Sequence, residues 1–326
     1  MKKRNLTILF MIVILVALAF AVIPGQKEKR TSVAKINAAI KAKGACWVAK
    51  ENKFTHWTIE ELKAILGAFP EEIADIESEY PIKITGKPEK PPKPPKGPKP
   101  QLPKEFDWQD HNGGNWVTPV RNQGQCGSCW AFGTVAQLES LILIFNNTPY
   151  ILGFDVDLSE QFIVSCDTSN YGCNGGNMYR AYDFVRDTGI PDEACFLYAA
   201  SDLPCNDRCT DWADRVERID RWSRVGGPIK INTNKIKEAV YENGPLTCAF
   251  DIYEDFYSYE LGCYEYVTGP YLGGHAVCIV GWTAEDCWIV KNSWGADWGE
   301  NGFFKIKFGN CNFGQNAGKF KYTGSN

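Results

Sequence analysis

Residues 123–130 read QGQCGSCW. Cys129 stands where a helical pattern opens, with Phe132, Val135, Leu138, Ile142 and Phe145 as its apolar positions. A cysteine that opens a helix is a favourable nucleophile, because the partial positive helix end and its free N–H groups stabilise a thiolate. Such a thiol needs a base, and the chain has 3 histidines. His56 lies far upstream, and His111 precedes any strand pattern. His275 follows Gly273 and Gly274 and enters the apolar run Ala276–Val280, so it alone sits on the scaffold of the second half. By elimination the candidate pair is Cys129 with His275.

That second half is strand-like. PLTCAF (245–250), HAVCIVGW (275–282), CWIVKNSW (287–294) and GFFKIKF (302–308) are short apolar runs punctuated by glycine and aromatic residues. Upstream of the body, at 102–326, lies KPEKPPKPPKGPKP, from Lys87 to Pro100. Its prolines forbid helix and sheet and favour an extended, protease-accessible spacer, assigned to 86–101. Before it, 31–85 reads as helical. Val33, Ile36 and Ile40 recur at helical spacing, and Thr58 with Glu61 forms a capping box ahead of Ile59, Leu62, Ile65 and Leu66, with Gly67 as the stop. So short a block should need a partner surface.

The chain begins with Lys2, Lys3 and Arg4 ahead of an apolar run from Leu6 to Ile23. This reads as an export signal over 1–23, either cleaved or retained as an anchor, and a retained anchor is the only expected membrane contact. Export makes disulfides the expected use of the 13 cysteines. With 326 residues and 44% hydrophobic content, the chain is not a disordered one. A net charge of −4 gives no sign of nucleic-acid binding, although 1–101 is basic and 102–326 acidic. No repeats are present.

The residues around the candidate pair resemble the papain family of cysteine peptidases, which includes the cathepsins. The resemblance rests on CGSCW (126–130), CNGG (173–176), NGP (243–245), GGHAV (273–277), KNSWG (291–295) and WGENG (298–302), and covers essentially all of 102–326. Trp47, Asn52, Phe54 and KAILG (63–67) resemble the short prosegment of the cathepsin B type. The resemblance implies an α+β, two-domain fold: a helical domain at about 110–213, an antiparallel barrel-like sheet domain at about 214–326, and the active site in the cleft between them. It implies a thiolate–imidazolium pair of Cys129 and His275, with Asn292 orienting the imidazole and Trp294 shielding that bond. Gln123 and the Cys129 N–H would hold the oxyanion. Gly175 and Gly176 would pair with substrate backbone, Ala249, Ala276 and Asn316 would line the S2 pocket, and Trp294 and Trp298 would wall the primed side. Cys126–Cys173 and Cys166–Cys205 match family disulfides. Cys195 and Cys209 offer a further bridge or, alternatively, a zinc site, and Cys248 and Cys278 read as buried free thiols.

The expected partners are peptide or protein substrates and the chain's own prosegment as intramolecular inhibitor; no cofactor or metal is expected. Activation is expected by cleavage between about Lys87 and Lys104. Endopeptidase action is expected because Asp167–Cys209, the region corresponding to the family's histidine-bearing occluding loop, contains no histidine. Arg180, Arg186 and Arg208 would be the alternative carboxylate binders there. A peptide ligase and a catalytically silent binding module are the competing functions.

Overall fold

A computed structural model describes residues 30–69, 101–151, 156–225 and 231–324. The expected export segment at 1–23 and the Pro/Lys stretch from Lys87 to Pro100 lie outside the described residues. The leader contributes α1 (Val33–Lys43), β1 (Trp47–Ala49) and α2 (Ile59–Ala64). Helix α1 buries Ile36 and Ile40 and is closed by Gly44 in the left-handed conformation. Helix α2 starts at the reciprocal cap expected from its sequence: Glu61 N–H donates to Thr58 Oγ1 (3.2 Å), and Thr58 N–H donates to the Glu61 carboxylate (2.7 Å). It ends at Ala64, and beyond it Ala68 forms a parallel bridge with Gly176.

The body begins with β2 (Phe106–Asp107), followed by helices α3 (Cys129–Phe145), α4 (Glu160–Cys166) and α5 (Met178–Asp187). After β3 (Arg221–Arg224) and α6 (Thr233–Asn243) come β4 (Leu246–Tyr253), β5 (Tyr259–Tyr264), β6 (Tyr271–Trp282), β7 (Cys287–Lys291), β8 (Phe303–Lys307) and β9 (Gln315–Lys321). The sheet order is β1-β5-β8-β7-β6-β4-β9-β3, with β2 beside β6. Every pairing is antiparallel except β5 with β8. The sheet is open rather than a closed barrel. One edge of β5 is taken by the leader's β1, in register Trp47 to Gly262, and β3 forms the opposite end of the sheet.

Helix α3 positions the site. From Cys129 to Leu143 it is buried on every side, because the sheet covers one flank while α4 and α5 cover the other. Phe145, by contrast, is exposed, since the helix has run past the sheet by its last residue. Gln137 fastens α3 to the sheet: its Oε1 accepts from Thr247 N–H (2.8 Å) and its Nε2 donates to Gly318 O (3.0 Å). Such satisfied buried amides fix one register of helix on sheet. Disulfides Cys126–Cys173, Cys166–Cys205 and Cys195–Cys209 tie the loops around the helices, and Cys263–Cys287 joins β5 to β7. The bridge between Cys195 and Cys209 leaves neither sulfur for a zinc ion. Cys248 and Cys278 are buried free thiols, and Cys311 is also free.

Candidate active site

Cys129 is the first residue of α3 and is completely buried. His275 lies within β6, paired with Phe250 of β4, and is also completely buried. Its Nε2 is 2.7 Å from Asn292 Oδ1, which also accepts the Ser293 N–H at 2.8 Å. An amide oxygen only accepts, so Nε2 carries the proton and Nδ1 keeps a lone pair. Nδ1 is buried with no hydrogen-bond partner among the described residues. The Trp294 ring lies over the imidazole, centroids 4.8 Å apart and planes 32° apart.

Gln123 is held from three directions. Its N–H donates to Ser293 O (2.9 Å), its Oε1 accepts from Ser293 Oγ (2.7 Å), and its Nε2 donates to Cys126 O (2.8 Å). Ser293 thereby couples the Gln123 loop to Asn292; it lay inside the KNSWG motif but was not singled out from sequence. Behind it, Lys291 Nζ donates to Thr118 Oγ1 (2.8 Å), whose hydroxyl donates to Glu139 (2.5 Å). This buried polar chain anchors the residue next to Asn292.

The leader crosses all of these groups. Gln123 Nε2 donates a second bond to Ile65 O (2.9 Å). Gly176 N–H donates to Gly67 O (2.8 Å), Phe69 N–H donates to Gly176 O (3.0 Å) and Ala68 N–H donates to Gly274 O (3.1 Å). Ala68, Cys129, Met178, Ala249 and Ala276 belong to one buried apolar cluster. Met178 was not anticipated from sequence, where it reads as an ordinary helix residue. At Gly67 a Cβ would lie 1.8 Å from the Gly127 carbonyl oxygen, so only glycine fits the crossing point. A Cβ on Gly176 would lie 2.7 Å from the Trp130 ring, so the edge that receives the leader also has no room for a side chain.

Trp294 and Trp298 stand at 4.9 Å, edge to face, both buried. Leader Phe54 packs on Trp294 at 5.3 Å, and leader Lys53 donates to the Trp294 carbonyl and pairs with Asp297 (2.7 Å). Asn316 is half-buried next to Gln315, which pairs with Ala249; its backbone is left-handed (φ 53°).

Burial sets the protonation states. It pushes the Cys129 thiol up to about 11, against backbone N–H groups that favour the thiolate, and pulls His275 down to about 4, against the Asn292 bond. The pair expected as thiolate and imidazolium is therefore thiol and neutral imidazole while the leader is seated. With water excluded, neither charge is solvated.

Residues 102–319 match the family model described as papain family cysteine protease. A viral cathepsin of Epiphyas postvittana nucleopolyhedrovirus is 37% identical over 209 residues, which are 63% of this chain and 59% of that protein, so the chain spans under two thirds of this relative. Cathepsin B-like cysteine proteinase 3 of Caenorhabditis elegans is 30% identical over 87% of this chain and 80% of its own length. In fold, proCathepsin B S9 from Trypanosoma congolense superposes with a TM-score of 0.71 at 24% identity, covering 91% of this chain and 99% of that one. The chain belongs to the papain family of cysteine proteases.

Proposed function

We propose that this chain is an exported, prosegment-controlled cysteine endopeptidase. The observation that carries the reading is the path of residues 65–69. A stretch of peptide backbone is hydrogen-bonded to the groups a peptide substrate would need, Gln123 Nε2, Gly176 and Gly274, beside a buried thiol and an imidazole with a free lone pair.

After removal of the leader, His275 Nδ1 takes the Cys129 proton, and the solvated ion pair forms. The thiolate attacks the carbonyl carbon, and the oxyanion is held by Gln123 Nε2 and the Cys129 N–H. Loss of one such donor costs about 3–4 kcal/mol of transition-state stabilisation. His275 gives its proton to the leaving amine, then activates water to hydrolyse the acyl-enzyme. Asn292 Oδ1 keeps the ring oriented through both steps, and Trp294 shields that bond. Gly175 and Gly176 pair with substrate backbone. Ala249 and Ala276, with Asn316, shape a P2 pocket, and Trp294 with Trp298 bounds the primed side.

Endopeptidase action is favoured because the alternative carboxylate binders are engaged elsewhere. Arg186 pairs with Asp183 and Asp187. Arg208 donates to Cys205 O and lies over Trp212, and Arg180 donates to Ser169 O. The test uses the processed protein with internally quenched peptides bearing free or amidated C-termini. Wild type should cut both at internal bonds, and Cys129→Ala should cut neither. Full activity in a folded Cys129→Ala protein, or stepwise dipeptide release from the free form alone, would overturn the reading.

A further inference from the structure

The loop that lacks histidine brings a different group to the site. Tyr198 Oη lies 2.8 Å from the Gln123 carbonyl oxygen and 2.7 Å from Ser128 Oγ. The carbonyl only accepts, so the phenol donates to it, and the Ser128 hydroxyl must then donate to the phenol oxygen.

Both partners adjoin the oxyanion donors. Gln123 carries one donor on its side chain. Ser128 precedes Cys129, which carries the other, and is the N-cap of α3. A serine there ordinarily turns its hydroxyl onto the first-turn N–H groups. Ser128 makes no such bond; its carbonyl takes the N–H groups of Ala131 (2.8 Å) and Phe132 (3.2 Å) instead.

Tyr198 is itself firmly placed. Its N–H donates to Glu193 Oε1 (2.7 Å), the next N–H donates to Gln161 Oε1 (2.9 Å), and Gln161 Nε2 donates to Ser201 O (2.9 Å). The ring packs edge-on against Phe132 at 4.8 Å, and the Cys195–Cys209 and Cys166–Cys205 disulfides flank the loop. Burial raises the phenol, so it stays a donor at any working pH.

We propose that Tyr198 is a positioning residue: its hydroxyl locks the Gln123 main chain to Ser128, holding the two oxyanion donors at a fixed separation. The proposal rests on the peptidase reading above. It predicts a penalty only where an oxyanion forms.

The test compares processed wild type with Tyr198→Phe, Ser128→Ala and the double variant. Tyr198→Phe keeps the ring and removes the hydroxyl. Its kcat for a peptide substrate should fall about tenfold with KM nearly unchanged. Affinity for a peptide aldehyde, which forms a tetrahedral adduct with the thiol, should fall by the same factor. The rate of Cys129 alkylation by iodoacetamide, which forms no oxyanion, should stay at the wild-type value, as should its pH dependence. Ser128→Ala should show a similar pattern, and the double variant should be no worse than Tyr198→Phe alone. Unchanged kcat in both single variants would overturn the proposal, as would equal losses in alkylation and turnover or losses confined to KM. If Tyr198→Phe fails to fold by thermal unfolding, Ser128→Ala decides. A wild-type protein that alkylates at Cys129 yet cleaves no peptide would remove the peptidase reading itself.

Discussion

The two parts of the leader are held differently, the first with side-chain anchors that the second largely lacks. Residues 33–64 attach through the β1–β5 ladder and through large or charged side chains. Trp47 meets Tyr264 at 5.0 Å, Phe54 meets Tyr257 and Trp294 at 5.3 Å each, and Lys50 and Lys53 pair with Glu260 and Asp297. Residues 65–69 attach mainly through main-chain groups to Gln123, Gly176 and Gly274. The difference separates affinity from blockade. The first part supplies apolar burial and holds the leader on the body. The second lies against Cys129, where the decisive requirement is a residue without a side chain at Gly67.

The comparison breaks most sharply at Gly67. A Cβ 1.8 Å from the Gly127 oxygen meets backbone on both sides and cannot be relieved by a rotamer change. Gly67→Ala should expel 65–69 from the cleft while α1 and β1 stay docked. The uncleaved protein should then hydrolyse peptide at a rate approaching that of the processed enzyme, measured with the linker intact by gel. Phe54→Ala attacks the anchoring part. Removing a buried phenylalanine costs about 3 kcal/mol, so the leader added in trans to processed enzyme should inhibit roughly 100-fold less well.

Acid sharpens the contrast, because it acts on the covered residues. With the leader seated, burial holds His275 down at about 4. The open ion pair and the covered neutral pair carry the same single proton near neutrality; in acid the open pair takes up a second proton that the covered pair refuses, so leader affinity falls as pH drops towards 4, by at most about tenfold per unit from this pair. In base the open pair loses its one proton while burial holds the covered Cys129 thiol up at about 11, so docking also weakens as pH rises towards 11. Inhibition constants for the leader in trans, measured from pH 4 to 10, should be lowest between these limits; a flat profile contradicts the burial argument. Lys53→Ala should matter least. Its ion pair with Asp297 is partly exposed, and such pairs contribute about 1 kcal/mol or less, a change of no more than about fivefold in the same inhibition assay.

Much of this was legible in the sequence because it rests on local pattern. QGQCGSCW placed Cys129 at a helix start, and the apolar runs at 245–250, 275–282, 287–294 and 302–308 marked β4, β6, β7 and β8. Strands β1, β3 and β9 carried no such mark. WVA is too short to show alternation, while RWSR and QNAGKFK are rich in polar residues and become strands through their neighbours' edges. The leader's path was equally hidden, since Gly67 reads as a helix stop until the Gly127 backbone is seen against it. Tyr198 gave no signal at all: its role depends on two hydrogen bonds spanning 75 and 70 residues of sequence. The neutral pair of the covered state was not legible either, because a motif describes residues and not their solvation.

We infer that the leader covers a Cys129–His275 site and holds it neutral. This is tested most directly by alkylating the full-length protein with iodoacetamide at neutral pH, before and after cleavage of the linker, and locating the modified cysteine by mass spectrometry. The account predicts that Cys129 resists modification in the intact chain and reacts rapidly after cleavage, with peptide hydrolysis appearing on processing and lost on alkylation. Equal alkylation of Cys129 before and after cleavage would contradict it.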